Sequence, residues 1–166
     1  MDPILLRRSI RKYALKKVPQ EIIEYLLEAA QSAPSAGGEA PWHLIVINSK
    51  SLLEKITEIH SRAQMLKEAP LAIAICCDLK LEKLKGFWVQ DCSAATENIL
   101  LAAQTKGLGS CWLGVYPRQD RVEGLKKLLW LPENIVPFSI VALGYPQEEK
   151  PYQKRYNAER IHYNGW

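Results

Sequence analysis

The run Arg7-Arg8-Ser9-Ile10-Arg11-Lys12 gathers cationic side chains around one hydroxyl near the start of the chain. Forked guanidinium donors with a short O–H donor suit a terminal phosphate, because Arg can meet phosphate oxygens in bidentate fashion. On these residues alone a solvated basic turn is the plainer reading. A basic run also suggests nucleic acid, but the aromatic residues lie mostly remote from it and no nucleic-acid motif accompanies it.

A second pattern is Gly107-Leu108-Gly109-Ser110-Cys111-Trp112-Leu113-Gly114. Glycines let a ligand approach the backbone, and exposed N–H groups can serve the acceptor atoms of a ring. A dinucleotide fingerprint follows a strand and opens a helix; here the glycines close a helix and precede a strand, which excludes it. A helix cap with a tight turn accounts for Gly107, whereas Gly114 needs another reason. The third pattern, Pro34-Ser35-Ala36-Gly37-Gly38-Glu39-Ala40-Pro41-Trp42, places small residues between prolines. It reads as a surface turn or as a rigid loop over a flat ligand.

No metal or hydrolytic constellation stands out. His43, His60 and His162 are scattered, and the chain has no H-E-x-x-H, nucleophile elbow or P-loop. The four cysteines show no C-x-x-C spacing, which argues against zinc. Asp91 and Glu97 share a helix and read as solvent-facing or N-terminal charge rather than an acid/base pair. If the chain is an enzyme, its reactive group is borrowed from a cofactor and no side chain is nominated as catalytic.

The elements that must position these patterns follow from periodicity. Asp2-Pro3 predicts a cap and a short helix ending near the arginines. Pro19 opens a helix with Ile22, Ile23, Leu26, Leu27 and Ala30 at helical spacing, stopped by Pro34. His43–Ile47 and Leu71–Cys77 read as strands, and Ser51-Leu52-Leu53-Glu54 as a capping box with a helix to about residue 60. Phe87–Lys106 is the longest helix, closed by Gly107 as C′ residue. Its apolar residues extend round most of its circumference, which in so small a protein argues for a partner subunit. Ser110–Val115 and Phe138–Leu143 read as strands on either side of a helix over 118–129. From Tyr145 onward no period is visible, and the aromatics of that tail favour docking over disorder.

At 166 residues, with 48% hydrophobic and 24% charged positions, the composition is that of one soluble globular domain. The expectation is a single domain over 1–166, with 150–166 as a C-terminal arm. Its fold class is α+β, a central mixed sheet flanked by helices. Reduced, buried cysteines and the absence of a secretory signal predict a cytoplasmic protein, and no apolar run is long enough for a membrane. A net charge of +4 fits anionic ligands in general.

In order along the chain, Arg7–Tyr13, Leu26–Ala30, Ala33–Ser35-Ala36, Pro41-Trp42, Gln90–Ala95 with Asn98, Gly107–Gly114 and Leu143-Gly144-Tyr145-Pro146 resemble the FMN-dependent nitroreductase family over nearly the whole length. The resemblance implies a homodimer that exchanges C-terminal arms and holds two FMN sites, each lined by both subunits. Carried over by position, Arg7, Arg8, Ser9 and Arg11 contact FMN, with Arg7 and Ser9 nearest the phosphate. Ser35 reaches the cofactor of the other subunit, and Leu113 and Gly114 supply backbone contacts near the reactive edge of the ring. Lys154 or Arg155 completes the phosphate clamp, and Gln64 meets the pyrimidine end. The implied activity takes hydride from NADH or NADPH and reduces a small acceptor such as a nitro compound or quinone. Alternatives on the same fold are an FMN carrier or redox sensor, reductive dehalogenation, and flavin breakdown. The chain departs from the family at Gly38 and Ala40, where members commonly carry Asn and Gln.

Overall fold

Residues 71–77 alternate between two cores, and that alternation organises the molecule. Leu71, Ile73, Ile75 and Cys77 enter one apolar cluster, while Ala72 and Ala74 enter another on the opposite side. A strand whose successive side chains are all buried must lie inside a sheet covered on both faces. The computed structural model, which describes residues 2–166, shows that arrangement.

The strands are β1 (Trp42–Ile47), β2 (Leu71–Asp78), β3 (Gly109–Gly114) and β4 (Ile135–Gly144), in the spatial order β1-β2-β4-β3. All three pairings are antiparallel, so the sheet is not mixed as expected. Strands separated by helices invite a parallel crossover reading. The parallel contact that exists is an isolated bridge between Ser9 and Ser110, outside the sheet proper. β4 also starts earlier than its apolar run suggests and contains Pro137, which sits where the register with β2 shifts beside Cys76. A bulge is one of the places where a strand tolerates proline.

Helices α2 (Gln20–Gln31) and α4 (Trp88–Thr105) cover one face, with Ile23, Leu26, Cys92, Ala95 and Ile99 in its core. Helices α3 (Lys50–Ile59) and α5 (Gln119–Leu128) cover the other, through Leu53, Ile56, Val122 and Leu125. The short α1 (Pro3–Leu6) is capped by Asp2, whose carboxylate accepts the Ile4 N–H at 2.9 Å. The cap of α3 is Ser49 rather than Ser51, which lies inside the helix. α4 packs against α2, α1 and all four strands, so its apolar circumference is met largely within one chain. Thr96 on its buried face is satisfied internally, donating to Cys92 O at 2.6 Å and meeting the Ser139 hydroxyl at 2.9 Å. The four cysteines are free and buried, and burial pushes the Cys76 thiol up to about 12.

Residues 8–16 run along the ends of β3 and β4. Ile10 N donates to Ser110 O, Ala14 N to Tyr145 O, and Gln147 N to Lys12 O. The buried Tyr13 hydroxyl pins the segment by donating to Ile10 O at 2.6 Å. Gly109 permits the approach, since a Cβ there would stand 2.7 Å from Ile10 Cγ2. Beyond Lys150 the chain is exposed throughout and forms a single 3-10 turn at Ala158–Arg160. Tyr152, Tyr156, Tyr163 and Trp166 are all exposed within the single chain. Among the described residues no helix is long and apolar enough to cross a membrane.

Candidate active site

β3 is an edge strand, and an edge presents backbone N–H and C=O groups that no neighbouring strand answers. The N-terminal segment covers that edge at Ser110 and then diverges. Past the divergence lies a cavity of about 440 Å³ lined by Arg11, His60, Arg62, Arg121 and the β3 residues Cys111–Gly114. Among the described residues no carboxylate lines it. A second cavity of about 420 Å³ shares Arg11 and Arg62 and adds Lys12, Gln64, Met65, Glu68, Glu148 and Lys150. The two form a cationic groove running from the end of β3 along the 3-10 turn Gln64–Lys67.

Several polar groups hold this groove in shape. Glu148 accepts the Arg11 N–H, and that bond, with Lys150 nearby, holds its carboxyl below the usual range. Lys150 Nζ donates to Ser9 O at 2.6 Å and lies 3.4 Å from Glu148 Oε1. Gln64 donates its amide to Thr57 O and Ser61 O at 3.2 and 3.3 Å, tying the turn to the end of α3. His60 caps α3 and reaches the Gly114 carbonyl through Nε2 at 3.0 Å. Burial first, and then Arg121 and Arg62, lower its pKa. Cys111 behaves oppositely, its thiol raised by burial despite Arg11 and Lys150.

The expected site residues divide into those the fold gathers and those it separates. Arg11, Gln64, Leu113 and Gly114 line the groove. Ser9 borders it through its bridge to Ser110. Arg8 lines an adjoining cleft with Gln104, Glu148 and Lys150. Arg7 points toward α4, where its Nε lies 3.1 Å from Glu97 Oε1 without hydrogen-bond geometry. Ser35 sits elsewhere, in a hollow of about 330 Å³ with Ala36, Phe87, Gln90, Asp91 and Ala94. Lys154 and Arg155 lie on the exposed arm and line none of these cavities.

The Ser35 loop is closed by its own bonds. Ser35 Oγ accepts the Ala40 N–H at 2.9 Å, and Ala40 adopts a positive φ of 45°. Glu39 accepts the N–H groups of Lys83 and Leu84 at 2.9 and 3.0 Å, which fastens the loop to residues 79–87. Asp91 stands in the first turn of α4, as its reading as N-terminal charge has it, but it does not face solvent: it is only 5% exposed and accepts the Ala36 N–H at 2.9 Å. Sequence reasoning missed His60, Arg62 and Arg121 as groove residues. Their convergence depends on α3 meeting α5, and no spacing along the chain signals it.

FMN fits this geometry on three counts. The groove is cationic, the ring-sized cavity lies at an open strand edge, and above Gly114 an added Cβ would meet nothing within 4 Å. A glycine that packing does not require lets a ligand approach the backbone closely.

Comparison with known proteins points the same way. The family model described as the nitroreductase family matches residues 4–73 and 58–145. A protein of Archaeoglobus fulgidus with the provisional name NADH dehydrogenase/NAD(P)H nitroreductase is 53% identical over 98% of this chain and 96% of its own. A crystal structure from Clostridium acetobutylicum, provisionally named an NADH oxidase, superposes with a TM-score of 0.97 at 43% identity, covering 99% of this chain and 100% of that one. An FMN-dependent nitroreductase from Clostridium difficile superposes with a TM-score of 0.92 at 32% identity, over 99% of both chains.

Proposed function

The chain belongs to the nitroreductase family, and from that premise we propose that it holds FMN in the groove at the β3 edge and works as an NAD(P)H-dependent oxidoreductase. The observation that carries this reading is the cavity ringed by Arg11, Arg62 and Arg121 without a carboxylate, open against the backbone of Leu113 and Gly114. Such a site favours a planar ligand that gains negative charge.

FMN, when bound, would supply the two-electron chemistry that links a nicotinamide donor to the acceptor. The protein's own contribution is binding and electrostatics. In this reading Arg7, Arg8 and Ser9 take the phosphate, and the cationic groove stabilises the charge that reduction adds. Arg11 and Gln64 serve the pyrimidine end, and the β3 backbone addresses the reactive edge. The acceptor is a small oxidant, a nitro compound or a quinone.

Assembly completes the proposal. Ser35 lies away from the groove within one chain, and the aromatic arm from Tyr152 to Trp166 is exposed. Both fit a homodimer in which the arm embraces its partner, Ser35 reaches the partner's cofactor, and Lys154 or Arg155 joins a phosphate clamp. The buried free thiols suit a reducing, cytoplasmic setting. Anaerobic mixing of FMN-loaded protein with NADH or NADPH, then with a nitroaromatic or quinone, tests the activity. Bleaching of the flavin by the nicotinamide and recovery with the acceptor are expected. A flavin that neither nicotinamide reduces would leave a carrier, not an enzyme.

A further inference from the structure

The carbonyl of Gly114 carries two donors from two different helices. His60 Nε2 lies 3.0 Å from that oxygen and Arg121 Nη1 lies 2.8 Å from it. A carbonyl only accepts, so the His60 ring carries a proton on Nε2. His60 is 3% exposed, and its Nδ1 is buried without a hydrogen-bond partner. Burial penalises an imidazole held in this way, so the contact with Gly114 needs a reason.

Close packing of α3 on α5 makes the contact possible. A Cβ on Gly124 would stand 2.6 Å from Ile59 Cγ2, so only glycine lets the end of α3 come this near to α5. Three separated segments therefore meet on one oxygen at the end of an edge strand. In a strand the N–H and C=O of one residue point to the same side. Fixing the Gly114 carbonyl therefore also fixes the direction of the Gly114 N–H, on a residue that lines the carboxylate-free cavity.

We propose that His60 and Arg121 are positioning residues that clamp the Gly114 carbonyl and thereby aim the β3 edge at the ring of FMN. The inference rests on the cofactor reading above. It assigns His60 a role through the backbone, and none in proton transfer.

The test uses FMN-reconstituted protein and compares His60→Leu, His60→Gln and Arg121→Ala. Three quantities are read on each: the FMN dissociation constant by fluorescence quenching, the flavin midpoint potential, and the melting temperature of the apoprotein. His60→Leu and Arg121→Ala should each weaken FMN binding by roughly tenfold, the loss of one hydrogen bond to a fixed group, and displace the potential. His60→Gln, which restores an N–H donor, should recover both. Should His60→Leu not fold, Arg121→Gln, which keeps an N–H donor without the charge, is set beside Arg121→Ala: recovery in Arg121→Gln supports the clamp, and equal loss in both overturns it. Variants that keep the wild-type affinity and potential while wild type binds FMN overturn this inference alone. So does a loss of binding that follows melting temperature and that His60→Gln does not recover. Wild-type protein that binds no FMN overturns the cofactor reading and this inference with it.

Discussion

Asp91 on α4 accepts the N–H of Ala36 at 2.9 Å, so a buried carboxylate in the longest helix holds the middle of the proline-bounded loop. Removing that acceptor leaves a part-buried N–H unanswered. Asp91→Ala should lower unfolding free energy by about 1–3 kcal/mol, and Asp91→Asn, which keeps an acceptor oxygen, by clearly less. Urea denaturation of both variants checks the order. Equal stability of Asp91→Ala and wild type would show that the loop is held by its own Ser35–Ala40 bond.

Arg7 and Glu97 are 22% and 42% exposed, so water screens their pairing, which contributes no more than about 1 kcal/mol. Arg7→Ala should therefore leave the fold nearly intact. Loss of a charge-assisted partner of the phosphate should weaken FMN binding by about 1.5–3 kcal/mol, or roughly ten- to a hundredfold. Glu97→Gln, which keeps the guanidinium, should bind FMN close to wild type. A fluorescence titration of both variants decides it, and an unchanged affinity in Arg7→Ala removes this residue from the phosphate site.

His60 links stability to pH. Its folded pKa lies below the ordinary 6.5, mainly through burial. As pH falls through the unfolded value, the unfolded chain takes up a proton that the folded chain refuses, so stability drops. The loss begins below about pH 6.5 and stops once the folded imidazole also protonates. The depressed carboxylates Asp78, Asp120 and Glu148 act in the same direction, but only at more acid pH, as each protonates below its ordinary range. His60→Gln should flatten the thermal stability profile between about pH 7 and 5. A slope unchanged by the substitution would place the titrating group elsewhere.

The arm can be removed without touching the groove, because Lys150 is the last residue that contacts it, through Ser9 and Glu148. Deleting residues 151–166 should weaken self-association and abolish FMN retention together, while far-ultraviolet circular dichroism stays near native. Sedimentation and flavin content measured on the same truncated sample check this. Protein that remains dimeric and yellow would show that the arm is neither clasp nor clamp.

Much of the fold was legible because periodicity is a local signal. Leu71–Cys77, the α2 positions from Ile23 to Ala30, and the Gly107 stop of α4 all announce themselves within a few residues. The antiparallel course of β1 and β2 does not, since the same strand–helix–strand order serves a parallel crossover. The site divides along the same line. Arg11, Leu113 and Gly114 were found from motif and resemblance, and the groove contains them. His60 and Arg121 were not, because their meeting depends on the missing side chain of Gly124 and on Ile59 packed over it. The burial of Asp91 was not legible for a related reason: its partner is a backbone N–H in a loop that precedes it by an entire strand, helix and strand.

The most direct test of the cofactor site is a fluorescence titration of FMN into the flavin-free full-length protein, beside FAD and riboflavin. Saturable quenching at equimolar FMN is expected, with riboflavin much weaker because Arg7, Arg8 and Ser9 lose the phosphate proposed as their partner. An Arg11→Ala, Arg62→Ala double substitution should lower the affinity further by opening the ring cavity's cationic rim. Absence of saturable FMN binding, or riboflavin bound as tightly as FMN, would contradict the claim that this groove is a flavin mononucleotide site.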